Sequence, residues 1–198
     1  MRFQYSVFLF CLFISNMLMS QRFQGGLRLA GTLSQIDGDD IYGFNKPGYE
    51  VAGFVAASLS TRTAIEMGIQ YNVRGSLSDK NDVLRVSIGL HYIDIPILFI
   101  FKDWLIQDPA GDYYRMEFFG GSSIGRLISS NSYSGIHKDF KQTDVSWILG
   151  ASYFWSKNWG GAAKYTRSIS SLYQYSKNGG IIDLTGYYLS LGLKYKFN

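Results

Sequence analysis

The sequence is poor in cysteine and proline, and each scarcity excludes a class of structure. Cys11 is the only cysteine among 198 residues, and it lies in an N-terminal segment that we expect to be removed. The mature chain would then have no thiol, which excludes disulfides, cysteine-based zinc sites and a cysteine nucleophile. Proline occurs only three times, which suits long strands because proline cannot donate a hydrogen bond to a β-ladder.

Long apolar runs and clusters of like charge are also missing. Beyond the N-terminus, no run approaches the roughly 20 apolar residues that a membrane-spanning helix needs. The net charge is +4, but the cations are scattered, and we therefore expect no nucleic-acid partner. The two histidines, His91 and His137, are far apart, so the sequence predicts neither a metal site nor a cofactor.

The first twenty residues have the layout of a secretory signal. Arg2 gives a basic start, residues 7–14 are apolar, and Ser20 offers a small residue before Gln21. Such a segment is too short to span a membrane as a helix and is typical of a cleaved signal peptide. We therefore divide the chain into a signal peptide at 1–20 and one domain at 21–198.

Aromatic residues make up 17 % of the chain and 22 residues are glycine, and from Leu27 onward apolar and polar residues alternate. Because successive side chains of a strand point to opposite faces, this period of two predicts β-strands. The alternation is clearest near the C-terminus, where residues 187–197 place apolar groups on one face. It recurs in segments near 27–34, 49–59, 65–74, 84–101, 113–128, 145–155 and 163–169, which makes eight strands.

Two of these segments are irregular. In residues 84–101, Ser87, Gly89 and His91 share one parity, whereas Asp94 has the other. A β-bulge near Tyr92-Ile93 would return Asp94 to the polar face, because an extra residue reverses the alternation. Residues 120–121 are consecutive glycines and predict a second bulge or bend.

The predicted connections alternate in length. Short links fall at 60–62 and 156–158, a longer one at 102–112, and long polar ones at 35–48, 75–83, 129–141 and 170–182. Outer-membrane barrels pair short periplasmic turns with longer external loops in this way. The sequence therefore predicts an all-β fold, an eight-stranded antiparallel up-and-down transmembrane β-barrel.

Alternation alone does not say which face of the barrel is outside, and a soluble barrel with an apolar interior is the alternative. The apolar face supplies about five large side chains per strand, more than the interior of an eight-stranded barrel can hold. We therefore expect the apolar face to contact outer-membrane lipid. Aromatics near the strand ends match the interfacial girdles of such barrels, namely Tyr49, Tyr71, Trp155, Trp159, Tyr187, Tyr195 and Phe197.

Residues 90–98 read tyrosine, apolar, acid, apolar, proline at their centre, from Tyr92 to Pro96. Other distinctive segments stand in order along the chain, at residues 25–27, 48–60, 120–127, the Lys164-Tyr165 pair and 191–197. Together they resemble the PorT-like outer-membrane barrels of Bacteroidota, over most of the mature chain and most specifically at residues 90–98. Asp94 stands where that family usually has glutamate. The resemblance implies a porin-like barrel of the outer membrane, and some members of the group are tied to type IX secretion.

The end of the chain is similar to the targeting signal of outer-membrane proteins. This similarity implies recognition by the barrel-assembly machinery, although Asn198 follows the final aromatic residue, where the usual pattern ends on the aromatic itself. The alternating residues that would form the signal are Leu191, Leu193, Tyr195 and Phe197.

The polar face carries charges of both signs, which survive inside a barrel only when they are paired and hydrogen-bonded. We interpret them as a salt-bridge network that closes the lumen; the alternative is a polar path for a solute or for protons, as in a narrow pore or small-solute transporter. Within the network, we expect Glu66 to pair with Arg74 or Lys164. The candidate residues are Arg28, Glu50, Glu66, Arg74, Asp94, Arg115, Glu117, Lys164 and Lys194.

Signals for catalysis are weak. His91 lies three residues from Asp94, and a histidine–acid pair could orient a general base. No serine belongs to a nucleophile motif, and His137 lies in a polar loop. We therefore expect a protein that is not an enzyme, with a structural, adhesive or secretion-accessory role.

The long loops are candidates for contact with surface or secretion partners, because exposed aromatic residues stand there among acids. The alternative is an ordinary solvated loop, and the acids of residues 37–40 are too few to identify a Ca²⁺ site. The loop residues in question are Asp37, Asp39, Asp40, Tyr42, Phe44, Tyr173, Gln174 and Tyr175.

Overall fold

The computed structural model describes residues 23–39, 43–78, 87–109, 111–132, 140–177 and 180–197. The predicted signal peptide, with Cys11, lies outside the described residues, as do His137, Asp40 and Tyr42. The described ranges contain no helix that is long and apolar enough to cross a bilayer.

Within these ranges the chain forms antiparallel strands that close into a barrel. The strands are β1 (Phe23–Asp37), β2 (Lys46–Ser58), β3 (Thr63–Leu77), β4 (Ser87–Ile106), β5 (Tyr113–Ser132), β6 (Thr143–Phe154), β7 (Trp159–Ser168), β8 (Tyr173–Lys177) and β9 (Gly180–Lys196). Strands β1 to β7 pair in chain order, β7 pairs with β9, and β9 closes on β1. The predicted eight-stranded barrel is therefore confirmed.

Strand β8 is the one element of this set that the alternation did not predict. It pairs only with the first part of β9, from Tyr173 opposite Leu184 to Lys177 opposite Gly180. The two strands extend a hairpin above the barrel wall in a region that we had interpreted as a loop. The polar composition of residues 170–182 hid this extension, since a hairpin outside the lipid needs no apolar face.

The two ends of the barrel differ, and we call them the terminal end and the loop end. Both ends of the chain's barrel domain lie at the terminal end, together with the short connections 59–62 and 155–158. The connection predicted at 102–112 also joins strands at this end, and it is shorter than predicted because β4 continues to Ile106. The turn at 59–62 is closed by hydrogen bonds from the amides of Leu59 and Ser60 to the carbonyl of Thr63. The strand ends that the longer connections join lie at the loop end, as the lengths predicted.

Large apolar side chains cover the outside of the barrel wall. Leu191 is 73 % exposed, and Ile69 and Leu149 are exposed nearly as much. On the same strands, the alternate residues are buried inside, for example Gln70 and Ser190. The apolar face is therefore on the outside, where a soluble protein would leave it in water, and the soluble-barrel alternative fails.

Aromatic rings form a row on this outer face near each end. At the loop end, Tyr49 contacts Tyr71 with 5.9 Å between ring centroids, and Tyr71 contacts His91 at 6.1 Å. At the terminal end, Trp159 contacts Tyr195 at 4.7 Å and Tyr195 contacts Phe197 at 5.7 Å. We call these rows the loop-end girdle and the terminal-end girdle.

The spacing of the two girdles fits a bilayer. Tyr187 contacts Tyr165 at the loop end, and Phe197 follows ten residues later at the terminal end. Ten residues span about 33 Å along a strand, or about 25 Å along the barrel axis at a tilt of about 40°. The apolar band of outer-membrane barrels has about this height.

The inward side chains of β4 all come from even-numbered residues. This is contrary to the prediction that the inward face changes parity near Tyr92-Ile93. Leu90, Tyr92 and Asp94 are all buried inside, so Ser87, Gly89 and His91 point outward. A register shift does lie between His91 and Tyr92, but the extra residue is Ile128 of β5, because His91 pairs with Ser129 and Tyr92 with Leu127. The bulge is therefore in the neighbouring strand.

Of the bulge or bend predicted at residues 120–121, the bulge is wrong. Gly120 and Gly121 pair in unbroken register with Phe99 and Leu98 on β4 and with Leu149 and Ile148 on β6. The glycines instead permit a close approach of strands, since a Cβ on Gly121 would lie 2.0 Å from the carbonyl oxygen of Ile97.

At the loop end the inside of the barrel becomes apolar. Seven buried side chains pack there into one cluster, which we call the apolar cap: Ile36, Ile88, Leu90, Tyr92, Phe140, Leu172 and Leu184. The outer face of β4 at this level is polar, so the pattern is the reverse of that in the membrane band. This reversal explains why β4 misled the sequence interpretation: the strand leaves the lipid while its inward parity continues.

Candidate functional site in the barrel interior

The strand registers bring ten charged side chains together inside the barrel. Five are cations and five are acids, so the set is electrically balanced, and all but Lys196 are at most 3 % exposed. We call it the lumen network: Arg28, Glu50, Glu66, Arg74, Asp94, Glu117, Asp144, Lys164, Lys194 and Lys196.

The part of the network nearest the terminal end is centred on two glutamates. Glu66 accepts hydrogen bonds from Arg28 at 2.5 Å and from Lys194 at 2.7 Å. Glu117 accepts from Lys194 at 3.3 Å and from Lys196 at 2.5 Å. Lys194 therefore joins the two carboxylates, each of which faces two cations.

Aromatic rings complete the surroundings of these cations. The guanidinium of Arg28 lies 5.7 Å from the ring centroid of Phe54 and 5.8 Å from that of Phe119. The ammonium of Lys194 lies 4.7 Å from the Phe54 ring. The negative faces of the rings stabilise the cations, while their bulk fills space inside the barrel.

The middle of the network is built around Glu50. Lys164 approaches its carboxylate at 2.7 Å, and Ser190 donates a hydrogen bond to it at 3.2 Å. Lys164 also donates to the Oε1 of Gln70 at 2.8 Å. Arg28 lies 3.9 Å from Glu50 and so links this part to the first.

The part nearest the loop end is centred on Asp144. Its carboxylate accepts from Arg74 at 2.7 Å, and from the hydroxyls of Ser146 and Ser168 at 2.9 Å and Ser170 at 2.7 Å. Four donors on one carboxylate offset the cost of its burial.

Asp94 lies beside this group. It is 4.0 Å from the guanidinium of Arg74 and accepts hydrogen bonds from Asn72 and Gln70. The guanidinium stacks on the ring of Tyr92, 3.9 Å from its centroid. Because Tyr92 belongs to the apolar cap, the network is continuous with the cap.

The structure places eight of the nine predicted charged residues in this network, but it gives Glu66 other partners than those expected. Glu66 pairs with Arg28 and Lys194 rather than with Arg74 or Lys164. The expected pairing was wrong because alternation fixes the face of a residue and leaves the relative shift of the strands open. The actual shift puts Arg28 opposite Lys194 across the closing seam.

Asp144 and Lys196 belong to the network and were missed. Both occupy inward positions in the alternation of their strands. Asp144 has the opposite parity to the apolar, outward residues of β6, and Lys196 is two residues beyond the inward Lys194. Reading every inward position as a candidate, including those at strand ends, would have found them.

Arg115 does not join the network, and its assignment to the lumen was wrong. Its guanidinium lies 4.9 Å from the ring centroid of Trp104 and 5.9 Å from that of Tyr153, and Trp104 is 53 % exposed. Trp104 has a φ of 59°, a left-handed conformation that interrupts the alternation near the end of β4. Arg115 thus stacks with outward-facing rings.

His91 and Asp94 lie on opposite faces of β4 and form no catalytic pair. The Nδ1 of His91 is 2.7 Å from the hydroxyl of Tyr71 in the loop-end girdle, whereas Asp94 is buried inside. Within the described ranges, no three histidine, cysteine, aspartate or glutamate side chains meet in a way that could hold a metal ion.

Several of the predicted loop residues make contacts at the loop end. Phe44 packs edge-on against Tyr187 with 5.2 Å between centroids, and Asp37 pairs with Arg167 at 3.1 Å. Tyr173 contacts Phe140 of the apolar cap. These residues support the barrel rim, and part of each remains accessible from outside.

A vestibule of about 420 Å³ opens at the terminal end. Its walls include Lys102, Asp112 and Lys157, and it reaches Glu117 and Lys196 of the lumen network. Lys196 is 12 % exposed because it faces this vestibule.

Comparisons with known proteins agree with this architecture. The sequence profile of the outer membrane protein beta-barrel domain family matches residues 16–174. The fold is similar to that of Ail, the attachment invasion locus protein of Yersinia pestis, at 14 % identity and a TM-score of 0.50, covering 88 % of this chain and 98 % of Ail. It is also similar to Neisserial surface protein A, at 12 % identity and a TM-score of 0.49, covering 88 % and 97 %. No curated protein matches the sequence.

Proposed function

The chain belongs to the outer membrane protein beta-barrel domain family, and on that premise we propose that it is a non-conducting barrel with an adhesive or secretion-accessory role. In this proposal the barrel is an anchor, and its loop end carries the activity. It needs no cofactor and performs no catalysis. Its location in the outer membrane follows from the family and the fold.

The observation that carries the proposal is the charge-balanced lumen network beneath the apolar cap. A conducting pore needs a continuous aqueous path, whereas here the buried charges bond to one another across the barrel. Phe54 and Phe119 occupy space beside the network. Eight-stranded barrels have interiors that side chains just fill, which supports a closed lumen.

The adhesive role rests on the loop end. External loops of such barrels face the surroundings of the cell, and rim residues such as Asp37 and Arg167 are about half exposed there. Ail, whose fold is similar, is named for attachment and invasion, and we propose the same use of a small barrel for this chain.

A secretion-accessory role is supported by the resemblance to the PorT-like group. The signature residues Tyr92, Asp94 and Pro96 all face inward on β4, where Tyr92 belongs to the cap and Asp94 to the network. We propose that the signature maintains the closed interior. Partners in secretion or adhesion would then bind the outside of the loop end.

We further propose two partners: outer-membrane lipid surrounds the folded barrel, and the barrel-assembly machinery binds the nascent chain during insertion. Leu191, Leu193 and Phe197, three of the four residues of the predicted signal, point outward in the closed barrel. The amide of Phe197 donates to the carbonyl of Gly25 at 2.8 Å, so the last residues of the signal also complete the closing seam.

Conductance separates this proposal from its alternative, a narrow pore or solute transporter. The purified protein would be placed in planar bilayers of phosphatidylcholine, and insertion would be verified by a mobility difference between unheated and boiled samples. We expect no discrete conductance steps. Steps whose ion selectivity changes in Glu50→Gln would contradict the closed lumen and favour the pore.

A further inference from the structure

A groove of about 280 Å³, with both polar and apolar walls, lies on the outer surface at the loop end, just beyond the loop-end girdle. Lys46, Val73, Ser87, Gly89, His91 and Asn131 line it. We propose that this headgroup groove binds the phosphate group of an outer-leaflet lipid. The proposal goes beyond the role of the lumen and rests only on the loop end being the outer-leaflet side.

The position of the groove matches the depth of lipid headgroups. Tyr49, Tyr71 and His91 form the girdle row immediately below it, and aromatic girdles mark the boundary between acyl chains and headgroups. Ser87 lies four residues beyond His91 on β4, or about 13 Å along the strand. The groove therefore spans the layer in which phosphates lie.

The outward face of β4 changes character at this level. Below His91 the outward residues are Ile93, Ile95 and Ile97, all exposed, and above it they are Gly89 and Ser87. At this level the apolar residues of β4, Ile88 and Leu90, point inward and belong to the apolar cap. A surface that is polar only above the girdle suits a ligand whose lower part is apolar and whose upper part is polar.

A glycine leaves room in the groove. Gly89 lines it, and a Cβ built on Gly89 would lie 3.9 Å from the Nζ of Lys46, so the space beside the ammonium holds no side chain from this position. The ammonium of Lys46 donates to the hydroxyl of Ser87 at 3.0 Å. Both residues line the groove, so this contact holds the cation at the groove wall.

The charge of the groove selects an anion. In the part of the chain that the structure describes, Lys46 forms no ion pair with a carboxylate. Asn131 and Ser87 add an amide and a hydroxyl, and Tyr71 holds His91 through Nδ1 at 2.7 Å. A phosphate is the anionic group that lipids offer at this depth, and a basic site at the interface recognises it.

The test is lipid retention by the folded barrel. The protein would be placed in nanodiscs that contain phosphatidylcholine and a minor share of phosphatidylglycerol, and the lipids that remain bound after detergent exchange would be counted by native mass spectrometry. We expect phosphatidylglycerol to be enriched on the wild-type protein, and Lys46→Gln to lower its retention about fivefold.

Lys141→Gln is the matched control, because Lys141 is also an exposed lysine at the loop end and lies outside the groove. Its retention of phosphatidylglycerol should equal that of the wild type. Asn131→Asp is a second variant, which places a negative charge in the groove at an exposed position and should lower retention as Lys46→Gln does.

Three results would overturn the proposal. The first is equal retention by Lys46→Gln and Lys141→Gln, and the second is unchanged retention by Asn131→Asp. The third is complete displacement of the lipid by inorganic phosphate at equal concentration, which would indicate a site for a free anion. None of these results depends on whether the lumen conducts, so failure here is distinguishable from failure of the proposed function.

Discussion

At the scale of single residues, the carboxylate of Glu66 is the most consequential group in the barrel interior. It accepts from Arg28 and Lys194 at once, and all three side chains are almost completely buried. A buried ion that loses its partner keeps its desolvation cost without compensation, which makes the loss of one carboxylate expensive.

We predict that Glu66→Gln lowers the free energy of unfolding by about 3–5 kcal/mol, the usual cost of breaking a buried ion pair from one side. The variant leaves a surplus of positive charge near Phe54. Urea titration in detergent micelles, followed by tryptophan fluorescence, would measure the change.

Asp37→Asn is the matched control for that experiment. It removes the acid of the Asp37–Arg167 pair, whose side chains are 43 % and 45 % exposed, and exposed pairs contribute only about 0–1 kcal/mol. Equal stability of Glu66→Gln and the wild type would show that the interior is hydrated enough to screen the charge.

At the scale of the strand, β4 crosses two environments with one alternating pattern. Its outward residues face lipid at Ile97 and the headgroup layer at Ser87, while its inward residues pass from the network at Asp94 to the cap at Leu90. The same face of one strand is therefore apolar in one half and polar in the other.

We predict that an outward arginine has opposite consequences in the two halves of β4. Ile97→Arg should destabilise the barrel by about 2–4 kcal/mol, because it places a charge on the lipid face within the band. Ser87→Arg should change stability by less than about 1 kcal/mol, because that position is near the interface. Unfolding in lipid vesicles would compare the two, and equal costs would contradict the assigned height of the girdle.

The same strand shows what the sequence can and cannot predict. Side-chain volume assigned the apolar face to the outside of the barrel. Alternation identified the eight barrel strands and the two faces of each, because a strand fixes the side of each residue through local geometry. It assigned Ser87 and His91 to the wrong face of β4, because the residue types do not indicate where along the strand the lipid ends. It also failed to give the partners of Glu66, which depend on strand shear, a property of the closed barrel.

At the scale of the whole molecule, closure depends on the seam between β1 and β9. Gly192 pairs there with Ala30, and Gly31 pairs with Leu191 one step along. A Cβ on Gly192 would lie 2.1 Å from the carbonyl oxygen of Leu29, whereas a Cβ on Gly31 would meet nothing within 4 Å. The two glycines are neighbours with opposite steric surroundings.

We predict that Gly192→Val opens the barrel at a lower temperature than the wild type, since the side chain forces the seam apart. Gly31→Val should leave the opening temperature unchanged, because its side chain points into lipid. Gel mobility after incubation over a series of temperatures would report the compact form, and identical curves for the two variants would contradict the seam geometry.

The lumen network has a consequence for the order in which the chain enters the membrane. Its partners are distant in sequence, with Glu66 128 residues from Lys194 and Glu50 114 residues from Lys164. Taken alone, the β5–β6 hairpin carries Glu117 and Asp144 and has a lumen charge of minus two.

The β7–β9 pair carries Lys164, Lys194 and Lys196 and has a lumen charge of plus three. If the β5–β6 hairpin or the β7–β9 pair entered the bilayer alone, its unpaired lumen charges would be exposed to hydrocarbon. Insertion hairpin by hairpin is therefore blocked, and the sheet must curl before the bilayer surrounds it. A register slipped by one residue would turn these charges toward the lipid. The ion pairs of the network can therefore form only when all strands pair in the native register, so the network also selects that register.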